Sequence, residues 1–166
     1  MKRITFFSLI LICLFGCSSQ QNKNKTLEDN LPAARQPNAF DSLQSVLQLP
    51  QLNRSDSVKI LILPIDVSCP ACRDKAIKSI ADNSSRISDN RIVIIAGSGR
   101  KNINFFFKEL DKELPANVLI DSSGKSINAQ IATSNPVFIR TYDHRLLSRA
   151  ESDPGTIKEY LQSFFN

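Results

Sequence analysis

One junction constrains the fold more than any other part of the sequence, because an apolar run leads directly into a C-x-x-C motif. The run VKILILPI, residues 58–65, is β-branched and lacks polar alternation, which is typical of a central strand buried on both faces. The segment PACRDKAIKSIAD, residues 70–82, places Ala76 and Ile80 four positions apart on one side, which predicts an amphipathic helix. Pro70 suits the first helical turn, where a backbone N–H is not needed. The sequence therefore predicts a buried strand followed by a helix that begins at two cysteines.

Strand and helix signals continue to alternate beyond this junction. The run RIVIIAG, residues 91–97, predicts a second buried strand, and residues 102–114 predict a second helix. That helix is expected to direct Phe105, Phe106 and Leu110 toward the core. The remaining elements are a strand and turn in ANVLIDSSGK, a hairpin over residues 136–152 with Asp143 and His144 at its tip, and a last helix with Ile157, Leu161 and Phe164 on one face. The order β-α-β-α-β-β-β-α indicates an α/β fold with a mixed sheet covered on both faces.

The N-terminus carries the marks of an export signal. Lys2 and Arg3 supply positive charge, and residues 4–16 form an apolar run of 13 residues. Because a membrane-spanning helix needs about 20 apolar residues, this run is too short to span comfortably. We therefore expect residues 1–16 to be a cleaved signal peptide.

The end of that signal, Leu14 to Cys17, resembles the bacterial lipobox, in which a small residue precedes a cysteine that is acylated and becomes the new N-terminus. The resemblance implies fatty acylation (palmitate) of Cys17 and a domain in the bacterial cell envelope. It would be anchored to the inner or outer membrane and face the periplasm. Phe15 departs from the pattern, and an ordinary signal peptide with a chance cysteine is the alternative. Cys13 is removed with the signal, so Cys69 and Cys72 remain with no other cysteine to pair with.

The mature chain divides into three predicted segments. Residues 17–40 are rich in Gln, Asn and Lys, which predicts a flexible tether. Residues 41–56 predict a short helical extension that Asp41 begins, and residues 57–166 predict one domain. The formal charge of +5 is small and dispersed, and no Lys/Arg run alternates with aromatic residues, so we expect no nucleic-acid partner.

The C-x-x-C junction, the β-α that follows, and a proline that opens a hairpin before a last helix resemble the thioredoxin-like superfamily. The tether and the VLIDSSGK segment look most like the membrane-anchored, TlpA-like branch of extracytoplasmic thiol-disulfide oxidoreductases. The resemblance covers residues 58–165 and implies a thioredoxin-like fold that exchanges disulfides with exported proteins and an upstream redox partner, without a cofactor. It also implies that Asn135 and Pro136 bind the substrate backbone beside the dithiol, with a cis bond before Pro136. General statistics favour a trans bond.

Thiolate chemistry gives the two cysteines different predicted roles. The attacking species is the thiolate, which a helix N-terminus stabilises through its unpaired N–H groups and its dipole. Cys69 comes first and is therefore the predicted nucleophile. Cys72 lies one turn further into the helix, where it can attack a mixed disulfide formed by Cys69 and release the partner.

The sequence departs from the family at three positions near the motif. The chain has no Trp, and Ser68 stands where an aromatic residue commonly precedes the first cysteine. Leu63 stands where thioredoxin keeps a buried carboxylate. Asp66 is closer to the motif, and it is expected either to cap a helix in solvent or to assist proton transfer.

Two alternatives to redox catalysis remain open. Two thiolates suit Cu(I), so the same motif fits a copper-handling module with a third ligand. His144 is the only histidine in the chain and is expected to be a surface turn residue. One C-x-x-C without a histidine pair excludes a four-ligand zinc site, and we expect no metal. The other alternative is a structural lipoprotein with an inert Cys69–Cys72 disulfide; the direction of electron flow stays open.

Overall fold

The structure is a computed structural model, and it describes residues 39–47, 49, 57–143 and 145–166. The predicted signal peptide, Cys17 and nearly all of the predicted tether lie outside these residues. Within the described ranges, no helix combines the length and the apolar character needed to cross a membrane.

Five strands and five helices make up the described chain. In chain order they are α1 (Ala39–Leu47), β1 (Ser57–Pro64), α2 (Pro70–Asp82), β2 (Arg91–Ala96), α3 (Arg100–Glu109), β3 (Leu119–Asp121), α4 (Lys125–Asn128), β4 (Val137–Tyr142), β5 (Arg145–Glu151) and α5 (Ile157–Phe165). A single 3₁₀ turn, Ser84–Arg86, follows α2. The five predicted strands and the predicted helices are all present, with α4 as an unpredicted addition.

The strands form one mixed sheet in the order β3-β2-β1-β4-β5. β1 pairs in parallel with β2, which pairs in parallel with β3, whereas β4 runs antiparallel to both β1 and β5. The strand that leads into the cysteines is therefore central. This arrangement confirms the predicted α/β class with a mixed central sheet flanked by helices.

Two hydrophobic layers cover the two sides of the sheet. We call the side packed by α2, α3 and α5 the dithiol face, because α2 begins at the cysteines; Leu61 and Leu63 of β1 point into it. We call the other side the opposite face; Ile60 and Ile62 of β1 point into it and meet α1. Alternate residues of β1 thus enter different layers, as the period-two geometry of a strand requires, and both sets are fully buried.

The core-facing side of α3 differs from the prediction. Ile103 and Phe107 are its buried residues, whereas Phe105 is 55% exposed. Phe106 and Leu110 are only partly buried at the margin of the dithiol-face core. The stripe from Ile103 to Leu110 follows helical spacing, and Phe105 falls outside it. The placement of Phe105 in the core was therefore wrong, because three consecutive phenylalanines do not define a phase by themselves.

The C-terminal elements agree with the sequence. β4 and β5 form the predicted hairpin, and Asp143 at its tip adopts a left-handed φ of 47°. His144 lies outside the described residues. In α5, Ile157, Leu161 and Phe164 are buried together on the dithiol face.

Candidate active site

The loop between β1 and α2 delivers the first cysteine to the start of a helix. β1 ends at Pro64, whose carbonyl accepts hydrogen bonds from the N–H groups of Val67 and Ser68. This turn reverses the chain so that Cys69 becomes the N-cap residue of α2 and Pro70 its first helical residue. The Cys69 carbonyl then accepts the first helical hydrogen bonds from Cys72 and Arg73.

Close packing of the neighbouring loop fixes this turn. A Cβ atom added at Gly97, which follows β2, would lie 2.8 Å from the Ile65 side chain, so the approach of the two loops requires glycine. The Asp66 carboxylate accepts hydrogen bonds from the Ser98 N–H and the Asn102 side chain. Asp66 is exposed and ties the dithiol loop to the segment that begins α3, but it accepts no hydrogen bond from a helix N–H and therefore caps neither helix.

The two sulfurs are adjacent but differ in environment. They lie 2.9 Å apart, about 0.9 Å farther than the bonded separation of a disulfide. Cys69 is partly exposed, whereas Cys72 is buried. The Cys72 backbone N–H also points at the Cys69 sulfur, at 3.2 Å. A reagent from solvent therefore reaches Cys69 first, and Cys72 is in contact with it from behind.

The environments shift the two pKa values in opposite directions. The pKa of Cys69 is lowered, chiefly because the Cys72 thiol donates a hydrogen bond to its sulfur and secondly because the Cys72 backbone N–H does so. Burial and, secondly, the adjoining Cys69 sulfur together raise the pKa of Cys72 to about 12. The site is thus arranged to hold one thiolate at Cys69 and one proton at Cys72.

Two charged side chains act on the pair from farther away. Lys75, one turn beyond Cys72, lowers the pKa of both thiols in a minor way. Its ammonium group donates to the Pro154 carbonyl at 3.4 Å, in the loop that leads to α5. Asp153 in the same loop raises the pKa of Cys72 slightly. The sequence reasoning missed both residues, since only folding brings this loop beside α2.

Leu63 and Ser68, which depart from the thioredoxin pattern, are both buried. Leu63 is fully buried in the dithiol-face core, where a carboxylate would lack polar partners. Ser68 is 6% exposed, and its hydroxyl group has no hydrogen-bond partner in the described chain. The side chain directly before Cys69 is therefore packed inside, whereas Val67 is 51% exposed. The accessible apolar residue beside Cys69 is Val67, which the sequence reasoning also missed.

The expectation of a cis bond before Pro136 was wrong. None of the peptide bonds in the described part of the chain is cis, so the Asn135–Pro136 bond is trans. Pro136 is buried at the entrance to β4, and its carbonyl accepts hydrogen bonds from the N–H and the hydroxyl group of Ser152. A trans bond is the intrinsically favoured form, and here it leads directly into the paired strand.

The surroundings of α2 include an aromatic contact that sequence reasoning did not find. The Arg73 guanidinium lies over the Phe106 ring, 4.4 Å from its centre, and also pairs with the adjacent Asp74.

As for metals, residues 39–47, 49, 57–143 and 145–166 contain no group of three His, Cys, Asp or Glu side chains that could hold an ion.

Comparisons with known proteins add little to this geometry. No family model matches the chain, and no curated protein matches it either. Among solved structures, the chain is similar to a thioredoxin-like protein from Bacteroides caccae ATCC 43185, with 19% identity and a TM-score of 0.36. The match covers 68% of this chain and 42% of that chain, so it spans less than half of the other protein. The fold class therefore rests on the strand order and on the position of the two cysteines at the start of α2.

Proposed function

We propose that the protein is a lipid-anchored thiol-disulfide oxidoreductase that acts on exported proteins through Cys69 and Cys72. One observation carries the proposal: the partly exposed sulfur of Cys69 lies 2.9 Å from the buried sulfur of Cys72 and also accepts a hydrogen bond from the Cys72 backbone N–H. These contacts lower the pKa of Cys69, whereas burial raises the pKa of Cys72. A nucleophile and a reserve thiol in contact are the arrangement that disulfide exchange requires.

In the reductive direction, the Cys69 thiolate attacks one sulfur of a partner disulfide. A bond forms between Cys69 and that sulfur, and the other partner sulfur leaves as a thiolate and takes up a proton. Cys72 then loses its proton and attacks the Cys69 sulfur, which forms the Cys69–Cys72 disulfide and releases the second partner thiol. Two electrons pass from the protein to the partner, and an upstream dithiol must return them. The same steps in reverse oxidise a partner.

The raised pKa of Cys72 has a role in this sequence. While Cys69 is a free thiolate, Cys72 remains protonated and stabilises it as a hydrogen-bond donor. Formation of the mixed disulfide removes the negative charge at Cys69, and with it one cause of the raised pKa of Cys72. The second thiol therefore becomes easier to ionise only after a partner has been captured.

The substrate surface is proposed to include Val67, Asn135 and Pro136. Val67 supports this by its exposure two residues before Cys69. Asn135 and Pro136 enter through the family resemblance alone, and the trans bond removes the geometric reason that a cis bond would have supplied. Their contact with substrate stays a prediction.

The lipid anchor is proposed on the sequence of residues 14–17. Acylation of Cys17 would hold the domain at a bacterial membrane, and the residues before Ser57 would set its distance from the lipid surface. Metabolic labelling with a fatty acid tests this directly: we expect label in the wild-type chain and none in Cys17→Ser. Label that persists in Cys17→Ser contradicts the anchor.

The test of the dithiol is mechanism-based trapping. In Cys72→Ser, Cys69 attacks but nothing resolves the product, so we expect partners to accumulate as mixed disulfides on non-reducing gels. Cys69→Ser is the matched control, because it keeps one thiol and should trap none. Equal trapping by both variants would contradict the division of roles, and absence of trapping by either would contradict the proposed exchange with proteins.

Copper binding is the alternative with the same thiols. Cu(I) handling would need both sulfurs and, in the described residues, would find no third side-chain ligand grouped with them. Two measurements on the reduced protein separate the functions: titration with Cu(I), and exchange activity in the absence of metal. A redox protein retains exchange activity without metal.

A further inference from the structure

A groove with four cationic residues among its eleven lining residues runs between α2 and α5. Its volume is about 370 Å³, and Leu161 and Phe165 supply its apolar part. The charged residues that line it are Lys75, Lys78, Arg86 and Lys158, with Asp82 as the acidic member. The groove begins at the same Lys75 that acts on the dithiol, so it adjoins the site of exchange.

The positive charge of the groove is only partly offset within it, because Asp82 is its one acidic side chain and is close enough to Lys78 for the Lys78 charge to help lower the Asp82 pKa. Asp82 is the acidic lining residue, and its carboxylate binds Lys112 at 2.7 Å, which is not a groove residue. Arg86 donates to the Phe165 carbonyl at 3.1 Å, a neutral acceptor that leaves its charge in place. Neither Lys78 nor Lys158 forms a salt bridge with another residue of the described chain. The groove therefore presents several unpaired cations to solvent.

The position of Lys158 is unfavourable for the helix that carries it. Lys158 is the second residue of α5, at the positive end of the helix dipole. A cation there costs up to about 1 kcal/mol, of which the neighbouring Glu159 offsets a part. A residue that opposes local stability is typical of a surface kept for another purpose.

We propose that this groove docks an acidic segment of the redox partner. The carboxylates of the segment would pair with Lys78 and Lys158, and an apolar side chain would lie against Leu161 and Phe165. The inference rests on the proposed function, because it names the chemistry of the protein whose sulfur meets Cys69. Charge complementarity selects the occupant, since the unpaired groups of the groove are cations above an apolar floor.

The helix geometry gives the spacing that such a partner must have. With a rise of about 1.5 Å per residue, Lys75 and Lys78 lie roughly 9 and 14 Å from Cys69 along α2. An extended chain covers about 3.3 Å per residue. The acidic residues of the partner should therefore lie about three or four positions from its reactive cysteine. A bilayer resting on the same cations would cover the approach to Cys69, which favours a protein segment over an anionic lipid surface.

The test measures binding of a short cysteine-free peptide of glutamates around one phenylalanine to the full-length protein in detergent, by fluorescence anisotropy. Reversal of both groove charges, Lys78→Glu with Lys158→Glu, should weaken binding by about tenfold or more, from the usual size of exposed charge pairs. The matched control is Lys108→Glu with Lys125→Glu, which makes the same charge change at exposed lysines of α3 and α4 and should leave binding within about twofold. A peptide with Gln in place of Glu should bind far more weakly.

Two further arms keep this test independent of the redox proposal. Cys69→Ser with Cys72→Ser should still bind the peptide; if it binds and no variant ever traps a partner, the groove is upheld and the exchange function fails. No peptide binding, or equal losses in the groove and control variants with circular dichroism intact, overturns the docking proposal even where trapping succeeds. Binding of vesicles of phosphatidylglycerol through Lys78 and Lys158, without peptide binding, also overturns it and assigns the cations to lipid.

Discussion

The dithiol face and the opposite face share the same strands but are built from different material. Helices α2, α3 and α5 cover the dithiol face with 13, 10 and 9 residues, and its core includes an aromatic group of Phe107, Phe138, Phe164 and Phe165. The opposite face is covered by α1 and α4, with 9 and 4 residues, and its core is aliphatic. The layer with the longer helices lies on the side of Cys69 and Cys72, and the layer with the shorter helices covers the other side of the strands.

The difference matters because thiol exchange requires fixed geometry. The first turn of α2 holds the two sulfurs and the N–H that supports them, and Ala76, Ile77 and Ile80 fasten that helix into the large core. A site supported by packed helices keeps its geometry better than one carried by loops. Damage to the dithiol face should therefore change both stability and thiol reactivity, whereas damage to the opposite face should change stability alone.

The largest expected effect comes from Phe107→Ala on the dithiol face. Phe107 is 1% exposed, and a buried Phe→Ala change costs about 3–5 kcal/mol. Urea unfolding should show this loss, and the rate of Cys69 alkylation should change because α3 supports the dithiol loop through Asn102 and Asp66. Phe105→Ala in the same helix is the matched control and should stay within about 0.5 kcal/mol of wild type. Similar losses in the two variants would show that the buried side of α3 is misplaced.

Leu43→Ala tests the opposite face and should have the next largest effect. Leu43 is 7% exposed in the aliphatic core, so we expect a loss of about 2–3 kcal/mol, toward the low end for buried leucine. The alkylation rate of Cys69 in the folded variant should equal that of wild type. Ser45→Ala, at an exposed position of α1, controls for changes in the helix itself. A parallel change in thiol reactivity would remove the distinction between the faces.

Asp66→Asn should cost less, about 1 kcal/mol, because it weakens the acceptor for Ser98 and Asn102 without emptying a core. The exchange rate should fall modestly because the dithiol loop is held less firmly, but the pH profile should keep its midpoints, since the Asp66 carboxylate bonds Ser98 and Asn102 and neither thiol. Asp89→Asn, at an exposed turn, is the control. A shifted pH profile in Asp66→Asn alone would restore the proton-transfer role.

The smallest effect at neutral pH, and the sharpest at alkaline pH, is the titration of the two thiols. Cys69 should be alkylated with a midpoint below the ordinary thiol value. Cys72 in Cys69→Ala should be alkylated with a midpoint above the ordinary thiol value, because burial, the largest cause of its raised pKa, persists when the Cys69 sulfur is removed. The lowered pKa of Cys69 stabilises the fold above the unfolded pKa of about 8.5, and that contribution is lost as pH falls through its folded value.

For Cys72 the sign is opposite. Its raised pKa supports the fold below about pH 8.5, and that support is lost as pH rises toward 12. Cys72→Ala should therefore flatten the alkaline decline of unfolding free energy. An unchanged decline would place Cys72 in contact with solvent.

Much of the fold could be predicted because local pattern and tertiary structure agree. The bounds of α2 match the prediction, since Pro70 and the spacing of Ala76 and Ile80 are local signals. The short α4 gave no such signal, because its four residues include only one large apolar side chain. The phase of α3 failed for a related reason: Ile103 and Phe107 are distinguished from Phe105 only by the core that they meet.

The site divides in the same way. The place of Cys69 at the helix start follows from the C-x-x-C position, and the structure has Cys69 at the N-cap of α2 with Cys72 buried. The effect of Asp153 on Cys72 and the groove between α2 and α5 depend on which loops and helices become neighbours. The trans bond at Pro136 is the intrinsically favoured form, and the cis expectation came from the family resemblance alone. Contacts between α2 and the segment before α5 join residues about 80 positions apart, such as Lys75 and Pro154, and no local pattern records them.

The two edge strands of the sheet affect how copies of the protein behave when they are crowded together. β3 is three residues long, and β5 carries Arg145, Arg149 and Glu151, the last two joined at 2.8 Å. A short rim and a charged rim are poor templates for another chain to extend by strand addition. The proposed anchor would hold many copies side by side on a lipid surface. Neither edge strand favours edge-to-edge association there, so each copy stays monomeric and accessible to its partners.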